Sequence, residues 1–118
     1  MKLEVFKNKR YSTEAPAVEM RYNSFKLNKE LYQVMGNPRF VKFALDHDEK
    51  ILGIAKCDGD YLNRFTVTER TRNICSATLS KEIRKIIRSN HARITFTFDS
   101  KEDGYFITHL DEGVFNGE

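Results

Sequence analysis

Tryptophan is absent from this 118-residue chain, cysteine occurs twice and glycine six times. Two cysteines, Cys57 and Cys75, are too few for a disulfide framework. A reducing compartment is therefore expected, with both thiols acting as small buried hydrophobes. The few glycines form no GxGxxG and no GKS motif, which removes the common phosphate-cradling loops. No apolar run reaches the roughly 20 residues that span a bilayer. The first residues, MKLEVFKNKRYSTEAP, carry charges where a signal peptide carries an apolar stretch. These absences predict a cytoplasmic protein with no membrane partner.

What is present suits a globular chain. Hydrophobic residues make up 40% and charged residues 31%, with nine Phe and five Tyr as core material. The length predicts one domain over residues 1–118, or two very small halves sharing a core. The net charge of +3 is unevenly spread. Residues 70–93 hold seven cations (Arg70, Arg72, Lys81, Arg84, Lys85, Arg88 and Arg93) against the single acid Glu82, a balance of +6. Residues 94–118 hold six acids against Lys101, a balance of −5. Such asymmetry marks either a basic binding face beside an acidic one or a helix and strands that collect opposite charges.

Two pentapeptides are nearly alike: LNKEL at 27–31 and LSKEI at 79–83, offset by 52 positions. At that offset Tyr22 meets Ile74, Leu31 meets Ile83, and Val34 and Met35 meet Ile86 and Ile87. One inserted residue then brings Val41, Phe43 and Leu45 onto Ile94, Phe96 and Phe98. Each copy reads as a strand, a short helix and a hairpin. Val18, Met20 and Tyr22 alternate as in a strand. Asn28 and Ser80 are suited to cap helices whose apolar stripes are Leu31, Val34, Met35 and Ile83, Ile86, Ile87. Gly36 and Pro38 would end the first helix, and Asn90 the second.

The hairpins follow, with polar turns at 46–50 and 99–104 and closing strands over 51–56 and 105–110. Further strands are expected over 64–68 and 3–6, and a loose polar tail after Leu110. A unit of about 40 residues buries too little surface to stand alone. The expected fold is therefore α+β: two strand-helix-β-hairpin repeats, about 18–56 and 72–110, packed as an intramolecular pseudo-dimer with a small β-rich core.

Leu27-Asn28-Lys29-Glu30-Leu31, with Met35-Gly36 after it, resembles the core motif of the AbrB/MazE-like swapped-hairpin regulators. Leu79-Ser80-Lys81-Glu82-Ile83 resembles it more weakly. The likeness covers about 35 residues of each copy, a length typical of one small supersecondary unit. Asn28 and Ser80 stand where the family has proline, and Pro38-Arg39 where it has Gly-Asp. The resemblance implies a transcription factor or antitoxin in which two units form one DNA-binding sheet. The positions matching the family's DNA-facing bases are Arg21, Lys26, Lys29, Arg72 and Lys81.

Independently of that likeness, Lys81, Arg84 or Lys85, and Arg88 are spaced to line one side of the second helix, as phosphate neutralisation requires. Arg70 adds a cation just before it. An ordinary solvated helix face has the same pattern. Cys57 and Cys75 are 18 positions apart, and His47, His91 and His109 are scattered, so no metal site is expected. No nucleophile–base pair or carboxylate pair emerges, so neither an enzyme nor a cofactor is expected. Strand aromatics such as Phe40 and Phe43 could stack on bases but more simply form the core.

The leading expectation is a small intracellular, non-enzymatic DNA-binding regulator, either monomeric or homodimeric. The alternative is a protein-binding module, such as an antitoxin-like or phage-type inhibitor, that turns the acidic stretch at Asp99, Glu102 and Asp103 or a sheet edge toward a basic partner.

Overall fold

The computed structural model describes Leu3 and residues 15–116. Within them the chain runs β1 (Ala17–Met20), β2 (Ser24–Leu27), α1 (Lys29–Val34), β3 (Phe40–Asp46), β4 (Ile51–Lys56), β5 (Phe65–Thr66) and β6 (Asn73–Cys75). It continues through α2 (Ala77–Ile87), β7 (Arg93–Thr97), β8 (Ser100–Glu102), β9 (Tyr105–His109), a 3-10 turn at Leu110–Glu112 and β10 (Val114–Asn116). The strands form two five-stranded antiparallel sheets. Sheet A has the order β10-β7-β1-β2-β6, and sheet B the order β5-β3-β4-β9-β8. The fold is strand-rich with few helices, which is the expected class in its coarse form.

Alternation builds sheet A. Val18 and Met20 on β1, Phe25 and Leu27 on β2, Ile74 on β6, and Ile94 and Phe96 on β7 are all buried. The residues between them face outward, since successive side chains on a strand point to opposite faces. The inward set joins Val41, Leu52, Ile54, Leu31 and Ile83 in one apolar cluster shared by both sheets. Phe43 bridges it, with its ring 5.7 Å from Phe25 and 5.1 Å edge-on to Phe65.

Asn28 caps α1 as expected. Its Oδ1 accepts from the Leu31 N–H at 2.9 Å and from the Ala17 N–H at 3.0 Å, while its Nδ2 donates to the Ala15 carbonyl at 2.8 Å. One side chain thus fixes the helix start and holds β1 beside it, a role worth about 1 kcal/mol or more. Gly36 takes the left-handed conformation, φ +82°, just past the helix end, also as expected.

Several expectations are corrected. Ser76, not Ser80, caps α2, accepting from the Leu79 N–H at 3.1 Å. Ser80 is buried inside the helix, so LNKEL straddles a strand end and a cap whereas LSKEI lies wholly within a helix. Arg88 at φ +55°, not Asn90, terminates α2. Val34 is 54% exposed and leaves the expected apolar stripe, while Leu31 and Met35 stay buried. Tyr22 belongs to a turn, and the chain returns at once as β2.

The stretch 99–104 is not one polar turn. Ser100–Glu102 pairs with β9 as β8, and the turn narrows to Asp103-Gly104, both at positive φ as a two-residue hairpin requires. The segment after Leu110 forms a turn and the edge strand β10, held by pairing with β7. Cys75 is exposed and Cys57 half-buried, so neither is the buried hydrophobe expected. Beyond Leu3, the strand expected over 3–6 lies outside the described residues. No described helix is long and apolar enough to cross a membrane.

Candidate nucleic-acid interface

The outward residues of sheet A define a groove of about 680 Å³. Its lining includes Arg21, Lys26, Lys29, Arg72 and Arg93, the acids Glu19 and Glu30, and the donors Asn28, Thr95 and Thr97. Register explains the gathering. Glu19 on β1 lies opposite Lys26 on β2 and Thr95 on β7, and Lys26 lies opposite Asn73 on β6. Four candidates from distant stretches of chain (Arg21, Lys26, Lys29 and Arg72) therefore reach one surface. Arg21 pairs with Glu19 at 2.9 Å. Arg72, at φ +56°, donates from Nε to the Leu27 carbonyl at 3.0 Å, tying the approach to β6 onto β2.

Arg93 was outside the candidate set, yet its signal was available. Ile94 and Phe96 point inward, so Arg93, Thr95 and Thr97 must share the outer phase. Arg70 is exposed but does not line the groove.

The second candidate group, on α2, lines a separate groove of about 540 Å³ with Lys81, Arg84, Lys85, Arg88, Ser89 and Asn90. Lys81, Lys85 and Arg88 are exposed. Arg84 is not part of a solvated face, being only 8% exposed. Its position at i+4 from Ser80 and next to Ile83 puts it on the inward side, where no carboxylate of the described residues pairs with it. Its Nε donates to Ser80 Oγ at 3.3 Å, its Nη1 donates to the His91 carbonyl, and its guanidinium lies 4.4 Å from the centre of the Tyr22 ring. Burial pushes this guanidinium below its ordinary pKa, partly opposed by Tyr22.

The two basic surfaces meet at the 21–22 turn. Ser80 Oγ donates to the Arg21 carbonyl at 2.8 Å, and Tyr22 donates its hydroxyl proton to the Asn90 carbonyl at 2.6 Å. The base-lined side of sheet A is thereby anchored to α2.

The outer face of sheet B differs in kind. Ala44, Ile51, Gly53, Tyr105 and Ile107 line a groove of about 300 Å³ together with Asp46, Glu102 and Asp103. The Tyr105 ring lies over Gly53, where an added Cβ would approach to 3.1 Å. Phe40 is half-buried, with the Arg39 and Arg64 guanidinium groups 5.6 and 5.7 Å from its ring centre. Burial pushes the Cys57 thiol up, against the lowering pull of Lys42.

Among the described residues no three His, Cys, Asp or Glu side chains gather closely enough to hold a metal. Comparison of the chain with family models, with curated proteins and with solved structures finds no match.

Proposed function

We propose that this chain is a small, non-enzymatic DNA-binding regulator that lays the outer face of sheet A against duplex phosphates. The observation that carries the reading is the meeting of Arg21, Lys26, Lys29, Arg72 and Arg93 in one open groove. A rigid antiparallel sheet fixes the spacing of these cations, and phosphate contacts set register and most of the affinity. Thr95, Thr97 and Asn28 add neutral donors in the same groove.

Fluorescence anisotropy with a mixed-sequence duplex, between 50 and 200 mM salt, tests this. Five neutralised phosphates predict a log–log slope of about −4.5, or a loss of several hundredfold across that range. A flat salt response, or no binding at 50 mM, would sink the reading.

The same proposal treats residues 18–56 and 72–110 as halves of an internal pseudo-dimer. Two antiparallel pairings support it: β4 with β9, which close the two hairpins, and β2 with β6, which lead into the helix caps Asn28 and Ser76, an equivalence offset by 48 positions and not by the 52 of the pentapeptides. An approximate two-fold axis demands that orientation of equivalent strands. The halves differ where β3 runs unbroken while its counterpart is divided at Phe98-Asp99 into β7 and β8.

A second reading, a protein-binding module, is favoured by the sheet B groove. Its floor is apolar, and Asp46, Glu102 and Asp103 rim it beside the edge strand β8. A basic segment with an apolar anchor fits that chemistry. On this reading a partner co-purifies with the protein and is lost when Asp99, Glu102 and Asp103 become Lys. Retention of the partner by that variant would remove this face from consideration.

A further inference from the structure

A buried guanidinium normally faces a carboxylate, because desolvating a charge without a counter-charge costs several kcal/mol. Arg84 has none. Its Nε and Nη1 are satisfied by neutral oxygens and its plane by the Tyr22 ring, while Nη2 is buried without a hydrogen-bond partner among the described residues. Among the described residues, the groove it lines contains Lys81, Lys85 and Arg88 but no acid. Glu82, the acid of α2, turns instead to His47 on the β3–β4 loop at 3.1 Å.

We propose that the α2 groove is an oxyanion site, in which a phosphate or pyrophosphate group receives the free edge of Arg84 and is enclosed by Lys81, Lys85 and Arg88. The planar fork suits an oxyanion better than a point charge does, and its orientation is already fixed by Ser80, Tyr22 and the His91 carbonyl. The groove lies at a helix C-terminus, whose partial negative charge opposes an anion. Here the Arg84 carbonyl is already taken by the Arg88 and Ser89 N–H groups. Four side-chain cations outweigh the roughly half charge that a helix end presents. The Nη2 atom is shielded from solvent, so the ligand reaches it only when the groups that cover the guanidinium shift. The site goes beyond the sheet A reading and does not depend on it, because the oxyanion can belong to a free metabolite or to a nucleic-acid backbone.

The test follows the arginine Nε–H signals by nitrogen-15 NMR. Inorganic pyrophosphate is titrated at constant ionic strength, with sodium chloride as control. The expected result is a saturable shift of the Arg84 Nε–H signal. The Lys85→Gln/Arg88→Gln variant should raise the pyrophosphate Kd by roughly 5- to 30-fold, since two exposed charge contacts of about 0.5–1 kcal/mol each are removed. Both side chains are exposed, so that variant keeps the fold. A short duplex forms the second arm. A shift of the same signal by the duplex, reversed by pyrophosphate, assigns the site to backbone phosphate. A shift by pyrophosphate alone assigns it to a free anion even if duplex binding fails altogether. An Arg84 signal that follows only ionic strength in both arms leaves the guanidinium as a clamp between α2 and its flanking turns, and overturns the proposal.

Discussion

Replacing Ile83 by aspartate is expected to unfold both sheets in one transition. Ile83 is fully buried and belongs to the same apolar cluster as Phe25 of sheet A and Leu52 of sheet B. The change removes about 1.5–3 kcal/mol of apolar burial. It also buries a carboxylate in an apolar cluster, at a further cost of several kcal/mol. A domain of this size holds roughly 5–15 kcal/mol in total. The sum therefore reaches the whole stability, and far-ultraviolet circular dichroism together with amide dispersion should show a disordered chain. Leu31→Asp should do the same from the other helix, because Leu31 is fully buried in that cluster too. The conservative Ile83→Val, at about 0.5–1.5 kcal/mol, should remain folded. Survival of one sheet in either aspartate variant would mean two independent units and would end the shared-core description.

The second large effect concerns the sheet A face. Changing Lys26, Lys29 and Arg93 together to glutamate should weaken duplex binding by about 10²–10³-fold at low salt, at roughly 1 kcal/mol or more per lost contact. The salt slope should become shallower by about three, one for each lost phosphate contact. These three are chosen because the other two cations also hold structure. Arg21 pairs with Glu19, and Arg72 fastens the approach to β6 onto Leu27. Lys26 and Arg93 lie on strands whose inward neighbours make the core, so the fold should persist with a melting temperature near that of the parent chain. A folded variant that binds as tightly as the parent would clear the sheet of any role in DNA contact. Binding would then have to be sought on α2.

Local chemistry alone decides several features of the fold. β4 begins at Ile51 and ends at Lys56, as expected, because the polar turn at 46–50 and the apolar run after it mark a hairpin's closing strand. Asn28 caps a helix and Gly36 follows its end, because side-chain oxygen and positive φ are local requirements. Other residues take their roles from distant neighbours that no local pattern reveals. Ser80 has the chemistry of a cap, yet it is buried because Arg21 and Arg84 need its hydroxyl. Arg84 has the spacing of a solvated cation, yet Tyr22 and the 89–91 turn close over it. The tail after Leu110 is polar and short, yet β7 offers it a free edge and makes it a strand.

By itself, then, the sequence determined the strands β1, β3, β4, β7 and β9, the places of the two helices, the polar turn at 46–50 and the apolar sides of β1 and β7. Those properties follow from side-chain period and backbone preference within a few residues. Only the tertiary structure decided that Arg21, Lys26, Lys29, Arg72 and Arg93 share a surface while Arg84 is withdrawn from one. Strand order and register bring together residues tens of positions apart, and nothing in the local pattern specifies that order. The distribution of charge along the chain was legible from composition. Its division into a basic sheet face, a basic helix groove and an acid-rimmed apolar groove was made by the packing of two sheets around one core.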